Sequence, residues 1–112
     1  MPSDRSRQAL RDIRDNIKPA QSFIVGLDEL AFKADQKAFY AVVRALEIIS
    51  EASRHLPEET KQKHGHLPWK QIAGAGNIYR HDCQNVTGDF VWVTLHKSLP
   101  VLLRTVEAEL DQ

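Results

Sequence analysis

The chain has 112 residues, of which 42% are hydrophobic and 27% charged, a composition typical of a globular protein and not of a disordered one. We expect residues 1–112 to form one domain around one core. The 15 basic and 15 acidic residues cancel, which argues against a protein that coats nucleic acid through general positive charge. No apolar run approaches the roughly 20 residues that cross a bilayer, and the amino terminus has no signal-peptide pattern. The single cysteine cannot form an internal disulfide, which agrees with a reducing compartment. We therefore expect a cytoplasmic protein without membrane contact.

Two helical segments are predicted in the first third of the chain. Apolar residues recur at three- and four-residue steps from about Asp4 to Gly26, which indicates an amphipathic helix. Pro19 lies inside this pattern and should kink or split the helix, because proline removes a backbone hydrogen bond and crowds the preceding turn. The stretch from Asp28 to Ala34 is typical of a short connector that contains a turn or so of helix.

A second long helix is predicted from Asp35 to Leu56. Asp35 can cap its first turn, and Pro57 should end it, because the residue before a proline disfavours helical backbone angles. A short helix from Glu58 to His64, closed by Gly65, is expected to follow.

The remainder of the chain is predicted to contain two further main helices. The first lies within Pro68–Val86, where Pro68 suits a first helical turn. Gly88 and Asp89 should break the chain, and a last helix from Asp89 to Leu110 should be bent at Pro100. Since no segment shows strand-like alternation, we predict an all-α, up-and-down bundle of four main helices with short helical turns between them.

The segment Pro68–Val86 carries the residues best suited to chemistry. On an ideal helix, Asn77, Arg80 and His81 fall on a polar stripe beside an apolar stripe that should face the core. His81 can take up and release protons near neutral pH, as RNA cleavage through attack by the 2′-hydroxyl requires. Asn77 can orient the imidazole or donate to a phosphate oxygen, and Arg80 can neutralise charge that develops on phosphorus. From the spacing alone, a histidine that only ends a surface hydrogen-bond network is the commoner case.

The same segment resembles the HEPN-type toxins related to HepT. In that family it reads roughly Trp-basic-x-Ile-x-Gly-x-Arg-Asn-x-x-x-His-x-Tyr, and in this chain the matching residues are Trp69, Lys70, Ile72, Gly74, Asn77 and His81. The likeness extends to three further stretches, Arg44–Ala52, Leu56–Glu59 and Val86–Leu103.

The resemblance implies a HEPN-like bundle that pairs into a homodimer, with the two motif helices facing a shared cleft. It further implies a toxin that cleaves RNA without a metal or other cofactor. The expected partner is a minimal nucleotidyltransferase antitoxin, which adds AMP to the motif tyrosine.

Two positions depart from the family pattern. Gly76 stands where the family has its motif arginine, and Cys83 stands where it has the tyrosine, which makes control by tyrosine modification doubtful. Arg80 lies about 40° from position 76 around an ideal helix and one turn along, so it is our candidate to replace the lost phosphate contact. The predicted catalytic residues are therefore His81, Asn77 and Arg80, and the predicted binding residues are Gly76, Asp82 and Cys83.

Two alternative interpretations exist for this segment. The first is a HEPN-like protein with impaired catalysis that binds RNA or a nucleotidyltransferase through the same cleft, and Gly76 and Cys83 favour it. The second is a zinc site built from His64, His66, His81 and Cys83. We predict no metal, because residues two apart on a helix point about 200° from each other and rarely share one ion.

Two other pairs have a structural and a functional interpretation. Trp69 and Trp92 could stack on RNA bases, but their places on apolar helical faces favour core packing. Glu47 and Glu51 lie one turn apart, and we expect a buried or interfacial hydrogen-bonded pair with a basic residue such as Arg44 or Arg54 at least as much as an acid–base pair.

Overall fold

A computed structural model describes the backbone of residues 4–81 and 84–112 and the side chains of residues 4–76 and 88–112. Throughout these ranges the regular structure is helical, without strands, so the predicted all-α bundle is confirmed. The helices are α1 Asp4–Ser22, α2 Glu29–Ala34, α3 Gln36–Ser53, α4 Glu58–Lys63, α5 Trp69–His81, α6 Gln84–Val93 and α7 Leu99–Leu110, with a π turn at Thr94–Ser98. Across the described residues, no helix is both long and apolar enough to cross a membrane.

The core lies where α3 packs between α1 and α5, and α7 closes the other side of α1. The apolar stripe predicted for α1 is buried, with Leu10 at 2% exposure and Ile13 and Ile17 at 0%. The short helix α2 joins α3 to α6 through Phe32, whose ring centroid lies 5.8 Å from that of Phe39 and 5.5 Å from that of Trp92. Burial of these apolar side chains is the main source of stability.

The helix α1 runs through Pro19 without a break, so a split at this residue was a wrong expectation. The missing backbone hydrogen bond falls in the last turn of α1, where the neighbours Ile17 and Ala20 are fully buried and hold the turn in place. The helix ends at Ser22, four residues before the predicted Gly26, which instead adopts a positive φ of 84° in the following loop.

The predicted cap of α3 is confirmed. The Asp35 side chain accepts a hydrogen bond of 3.0 Å from the Ala38 backbone N–H. The helix ends at Ser53, and hydrogen-bonded turns lead from there to the buried Leu56. Pro57 then forms the amino-terminal cap of α4.

Gly88 does not break the chain, contrary to the sequence prediction. It is buried inside α6, and a Cβ atom added there would lie 3.2 Å from Cγ of Lys33 in α2. The Lys33 ammonium group pairs with Asp89 on α6 and with Glu29 at 3.2 Å. Gly88 therefore permits a close approach between two helices, which sequence patterning does not distinguish from a helix break.

Pro100 interrupts the last helical stretch, as predicted, and the form of the interruption is a π turn. The Leu99 backbone N–H donates to the Thr94 carbonyl, five residues back, and Pro100 then begins the first turn of α7. A proline has no N–H and its ring crowds the preceding turn, so a widened turn ahead of it accommodates the ring while the helix axis continues.

Candidate functional site around the amino-terminal half of α5

Ser50 fastens α5 to α3. Its hydroxyl donates to the Ala73 carbonyl at 2.9 Å and accepts from the Gly76 backbone N–H at 3.2 Å. Ser50 itself is only 4% exposed, so both contacts are made away from solvent. Because a buried hydroxyl that touches two successive turns fixes both the rotation and the axial position of a helix, α5 has a defined setting on α3.

Arg54, one turn after Ser50, also contacts α5. Its Nε and Nη2 atoms donate to the Ala73 carbonyl at 3.2 and 3.0 Å. The Nη1 atom lies 4.0 Å from a carboxylate oxygen of Glu51, and both side chains are exposed, so the buried or interfacial hydrogen-bonded pair expected for that glutamate is not formed with Arg54. The Arg54 side chain is 46% exposed, so its charge lies at the surface directly before the turn that contains Asn77.

The start of α5 is held by Trp69. The indole Nε1 donates to the carbonyls of Lys61 and His64, at 3.1 and 3.0 Å, while the half-buried ring packs against the core. Trp92 also packs inside the protein, against Phe32. The predicted packing role of both tryptophans is confirmed.

His64 anchors the segment before α5 to α7. Its Nε2 atom lies 2.6 Å from Oε1 of Glu109, and the Lys63 ammonium lies 3.0 Å from the same oxygen. Burial by itself raises the pKa of Glu109, but the hydrogen bonds and charges of His64 and Lys63 outweigh that effect and leave the pKa below its ordinary value. His64 thus has a carboxylate partner. Within the described residues, no three potential ligands come together as a metal site.

An apolar groove of about 380 Å³ opens beside α5, between α3, the end of α6, the π turn and α7. Leu46, Ile49 and Ile72 are among the residues of its floor, while Phe90 and Val93, 40% and 50% exposed, stand at its side. Sequence reasoning did not predict this groove. The available signal was that Phe90 and Val93 are apolar yet fall outside the buried stripe of the last helix.

Three of the predicted site residues, Asn77, Arg80 and His81, fall on the part of α5 that continues beyond the contacts with Ser50. Gly76 is buried, and its backbone N–H donates a hydrogen bond to the Ser50 hydroxyl. The backbone of Asn77, Arg80 and His81 belongs to α5, so positions 77 and 81 lie one turn apart on a continuous helix. The side chains of these three residues, and Asp82 and Cys83 as a whole, lie outside the described part of the structure, and their roles stay predictions.

Comparison with known proteins decides the family. The profile of the family described as Ribonuclease HepT-like matches residues 13–109. The chain belongs to this HepT-like family. A Caldanaerobacter subterraneus protein described as "Putative RNase" is 36% identical, over 80% of this chain and 80% of its own. A Methanocaldococcus jannaschii protein with the same description is 32% identical over 88% and 90%. A "Probable ribonuclease HepT" of Thermococcus cleftensis is 33% identical over 83% and 84%. No solved structure matches significantly.

Within this HepT-like chain, the motif helix was predictable from the sequence, but the contacts of Ser50 and Arg54 that fix it on α3 were not. From the sequence, Ser50 is one residue of the second-helix pattern, and Arg54 is a possible ion-pair partner of a nearby glutamate. The contacts of both with Ala73 join residues 19 or more positions apart in the sequence. Helical periodicity reports which face is apolar, but it does not report which neighbouring carbonyl a long side chain reaches.

Proposed function

We propose that this protein is the toxin of a toxin–antitoxin system, a metal-independent endoribonuclease that cuts RNA at a cleft between the two copies of a homodimer. Membership of the HepT-like family supports ribonuclease activity. Since the proposed substrate is RNA, we propose that the protein acts in the cytoplasm. The proposed partner is a minimal nucleotidyltransferase antitoxin. We treat residues 1–112 as one HEPN-like domain.

The observation that carries this proposal is the setting of α5. Ile72, Ala75 and Gly76 mark its α3-facing side, since they are buried or half-buried and Gly76 bonds to Ser50. At about 100° per residue, position 81 lies on the opposite side of the helix, together with position 74. Around Gly74 there is open space, with nothing within 4 Å of an added Cβ. This geometry supports an accessible catalytic face on α5.

In the proposed reaction, the 2′-hydroxyl of a ribose attacks the adjacent phosphorus and passes its proton to the His81 imidazole. The bond from phosphorus to the 5′-oxygen breaks, and that oxygen takes a proton from an imidazolium, so the products are a 2′,3′-cyclic phosphate and a 5′-hydroxyl. A homodimer supplies two copies of His81 for the two transfers. Asn77 positions the phosphate, Arg80 offsets its charge, and Asp82 and Cys83 contribute to the binding surface, while the buried Gly76 lies against Ser50 of α3.

We propose that the second copy of this chain packs over the apolar groove beside α5. The groove is lined in part by Ile72 and Ala75 of the motif helix, so a copy seated there contacts α5 directly. The exposed apolar side chain of Val93 adds to the surface that such a contact would remove from water.

Expression in bacteria tests the proposed toxicity. The wild-type chain should arrest growth and degrade cellular RNA, His81→Ala should do neither, and His96→Ala, which changes an exposed histidine of the π turn, should behave as wild type. Co-expression with a minimal nucleotidyltransferase encoded beside the gene should relieve the arrest, and the two proteins should co-purify. Harmless expression of the wild-type chain at the same protein level contradicts the toxin.

The second candidate is a catalytically impaired HepT-like protein that binds RNA or the nucleotidyltransferase. Gly76 favours it, because this residue has no side chain to hold a phosphate where the family resemblance places an arginine. The two candidates separate in a binding assay: an impaired protein retains RNA or partner binding while wild type and His81→Ala leave RNA equally intact.

A further inference from the structure

Arg54, which caps the carboxyl end of α3, is fixed against the motif helix at the level where the predicted catalytic turn begins. Its two hydrogen bonds end on the Ala73 carbonyl, and in an α-helix the carbonyl of residue 73 faces the backbone N–H of residue 77. The guanidinium therefore lies beside the turn from 73 to 77. Its sequence position, 23 residues before Asn77, gives no hint of this proximity.

Arg54 also approaches α5 on the side of the helix that carries positions 77 and 80. On an ideal helix, position 77 lies about 40° from position 73 to one side, and position 80 about 20° to the other. Positions 73, 77 and 80 thus share one face of α5. Arg54 reaches the helix at the base of this face, whereas Ser50 reaches it nearer the buried side, through Gly76.

The guanidinium retains the capacity to bind an anion. Arginine has five N–H donors in a fixed fork, and the Ala73 carbonyl receives bonds from only two of its nitrogens. A carboxylate oxygen of Glu51 lies 4.0 Å from Nη1, at the outer limit of an ion pair. With the side chain 46% exposed, the outward N–H groups face solvent that a phosphate can replace.

We propose that Arg54 is a phosphate-binding residue of the RNA site and supplies from α3 the guanidinium that Gly76 lacks on α5. This inference rests on the ribonuclease function proposed above. The bonds to the Ala73 carbonyl orient the fork in advance, so little side-chain freedom is lost when RNA binds. Arg80 and Arg54 would then hold the strand from two helices.

Binding of an uncleavable RNA tests this role without relying on catalysis. A fluorescent single-stranded 2′-O-methyl RNA is titrated with wild type, Arg54→Gln, Arg54→Lys and Arg44→Gln at several salt concentrations. Arg44 is an exposed arginine of the same helix and serves as the matched control. Loss of one phosphate contact should reduce the magnitude of the slope of log K against log salt by about 0.7 in Arg54→Gln, and Arg54→Lys should keep most of the slope.

Cleavage rates and stability complete the test. Removing one donor to the reacting phosphate typically lowers kcat by about 10²–10³-fold, so an exposed contact such as Arg54 should lower kcat/KM by at least about tenfold when replaced by glutamine. The melting temperature of Arg54→Gln should stay close to that of Arg54→Lys. A salt slope equal to that of Arg44→Gln overturns the proposal, whatever the change in stability.

The outcomes distinguish this inference from the proposed function. If wild type binds the RNA but shows no His81-dependent cleavage, the ribonuclease proposal fails and the salt slope still decides the role of Arg54. If cleavage depends on His81 while the Arg54 and Arg44 variants bind alike, only the Arg54 inference fails. If wild type does not bind the RNA, both fail.

Discussion

At the residue scale, Ser50 is the smallest group on which the setting of the motif helix depends. Its hydroxyl is buried and joins two turns of α5 to α3. A serine on an amphipathic helix gives no sign in the sequence of whether it lies in a helix crossing or on the surface. The contacts of Ser50 and Arg54 are therefore visible only in the structure, whereas the chemistry proposed for His81 follows from its residue type.

Replacing Ser50 by alanine should lower the free energy of unfolding by about 1–3 kcal/mol, because it removes the bridge and leaves a buried polar group short of a partner. Ser22→Ala, which removes an exposed hydroxyl bonded to Pro19 at 2.7 Å, should change the same quantity by less than about 0.5 kcal/mol. Urea unfolding of the two variants makes the comparison. Equal destabilisation by both changes would show that the Ser50 bridge contributes no more to the free energy of unfolding than the exposed hydrogen bond of Ser22.

Glu109 should make stability depend on acid pH. Its pKa in the folded protein lies below the ordinary value, so its pairing with His64 and Lys63 stabilises the fold above the ordinary carboxyl range. This contribution is lost as the pH falls through the folded-state pKa. The difference in unfolding free energy between wild type and Glu109→Gln should therefore shrink between pH 7 and pH 3. A difference that stays constant over this range is the contrary result.

At the element scale, helix positions were largely readable and helix ends were not. The apolar stripes of α1 and α3 and the Asp35 cap follow from periodicity and capping, which are local. Gly88 and Pro19 were misjudged, because tertiary contacts with Lys33 and burial of the surrounding turn outweigh the tendency of these residues to end a helix. Local patterns do not contain those contacts.

Gly74 and Gly88, which both lie inside helices, should respond differently to alanine. An added Cβ at Gly74 meets nothing within 4 Å, so Gly74→Ala should stabilise the protein by up to about 1 kcal/mol through helix propensity. At Gly88 the added atom lies 3.2 Å from Lys33 Cγ, and Lys33 is held by two carboxylates, so the gain should be smaller or reversed. Thermal unfolding compares them. A larger gain at Gly88 would contradict the close helix approach.

At the scale of the whole molecule, the fold class was predictable because the long helices α1 and α3 carry continuous apolar stripes and no stretch of the sequence alternates as a strand does. The groove beside α5 was not, since it forms where four distant segments fail to close over Ile49 and Ile72. In the proposed homodimer, the second copy covers this groove and contacts α5.

An aspartate at Val93 should prevent this pairing, because a charge in an apolar contact loses its hydration without gaining a partner. Val93→Asp should be a folded monomer by light scattering, while the wild type should be a dimer. Val25→Asp is the matched control, since Val25 is 80% exposed in the loop after α1, and it should remain dimeric. A dimer that persists in Val93→Asp places the interface elsewhere.

The most direct test of the central claim is RNA cleavage by the purified protein in EDTA. Wild type should convert a single-stranded RNA to fragments with 2′,3′-cyclic phosphate ends, and His81→Ala should lower the rate by about 10²-fold or more, the usual scale for a general acid–base group. A substrate with 2′-deoxy residues should stay intact. Cleavage that persists in His81→Ala, or that stops in EDTA with wild type, would contradict a metal-free reaction carried by this imidazole.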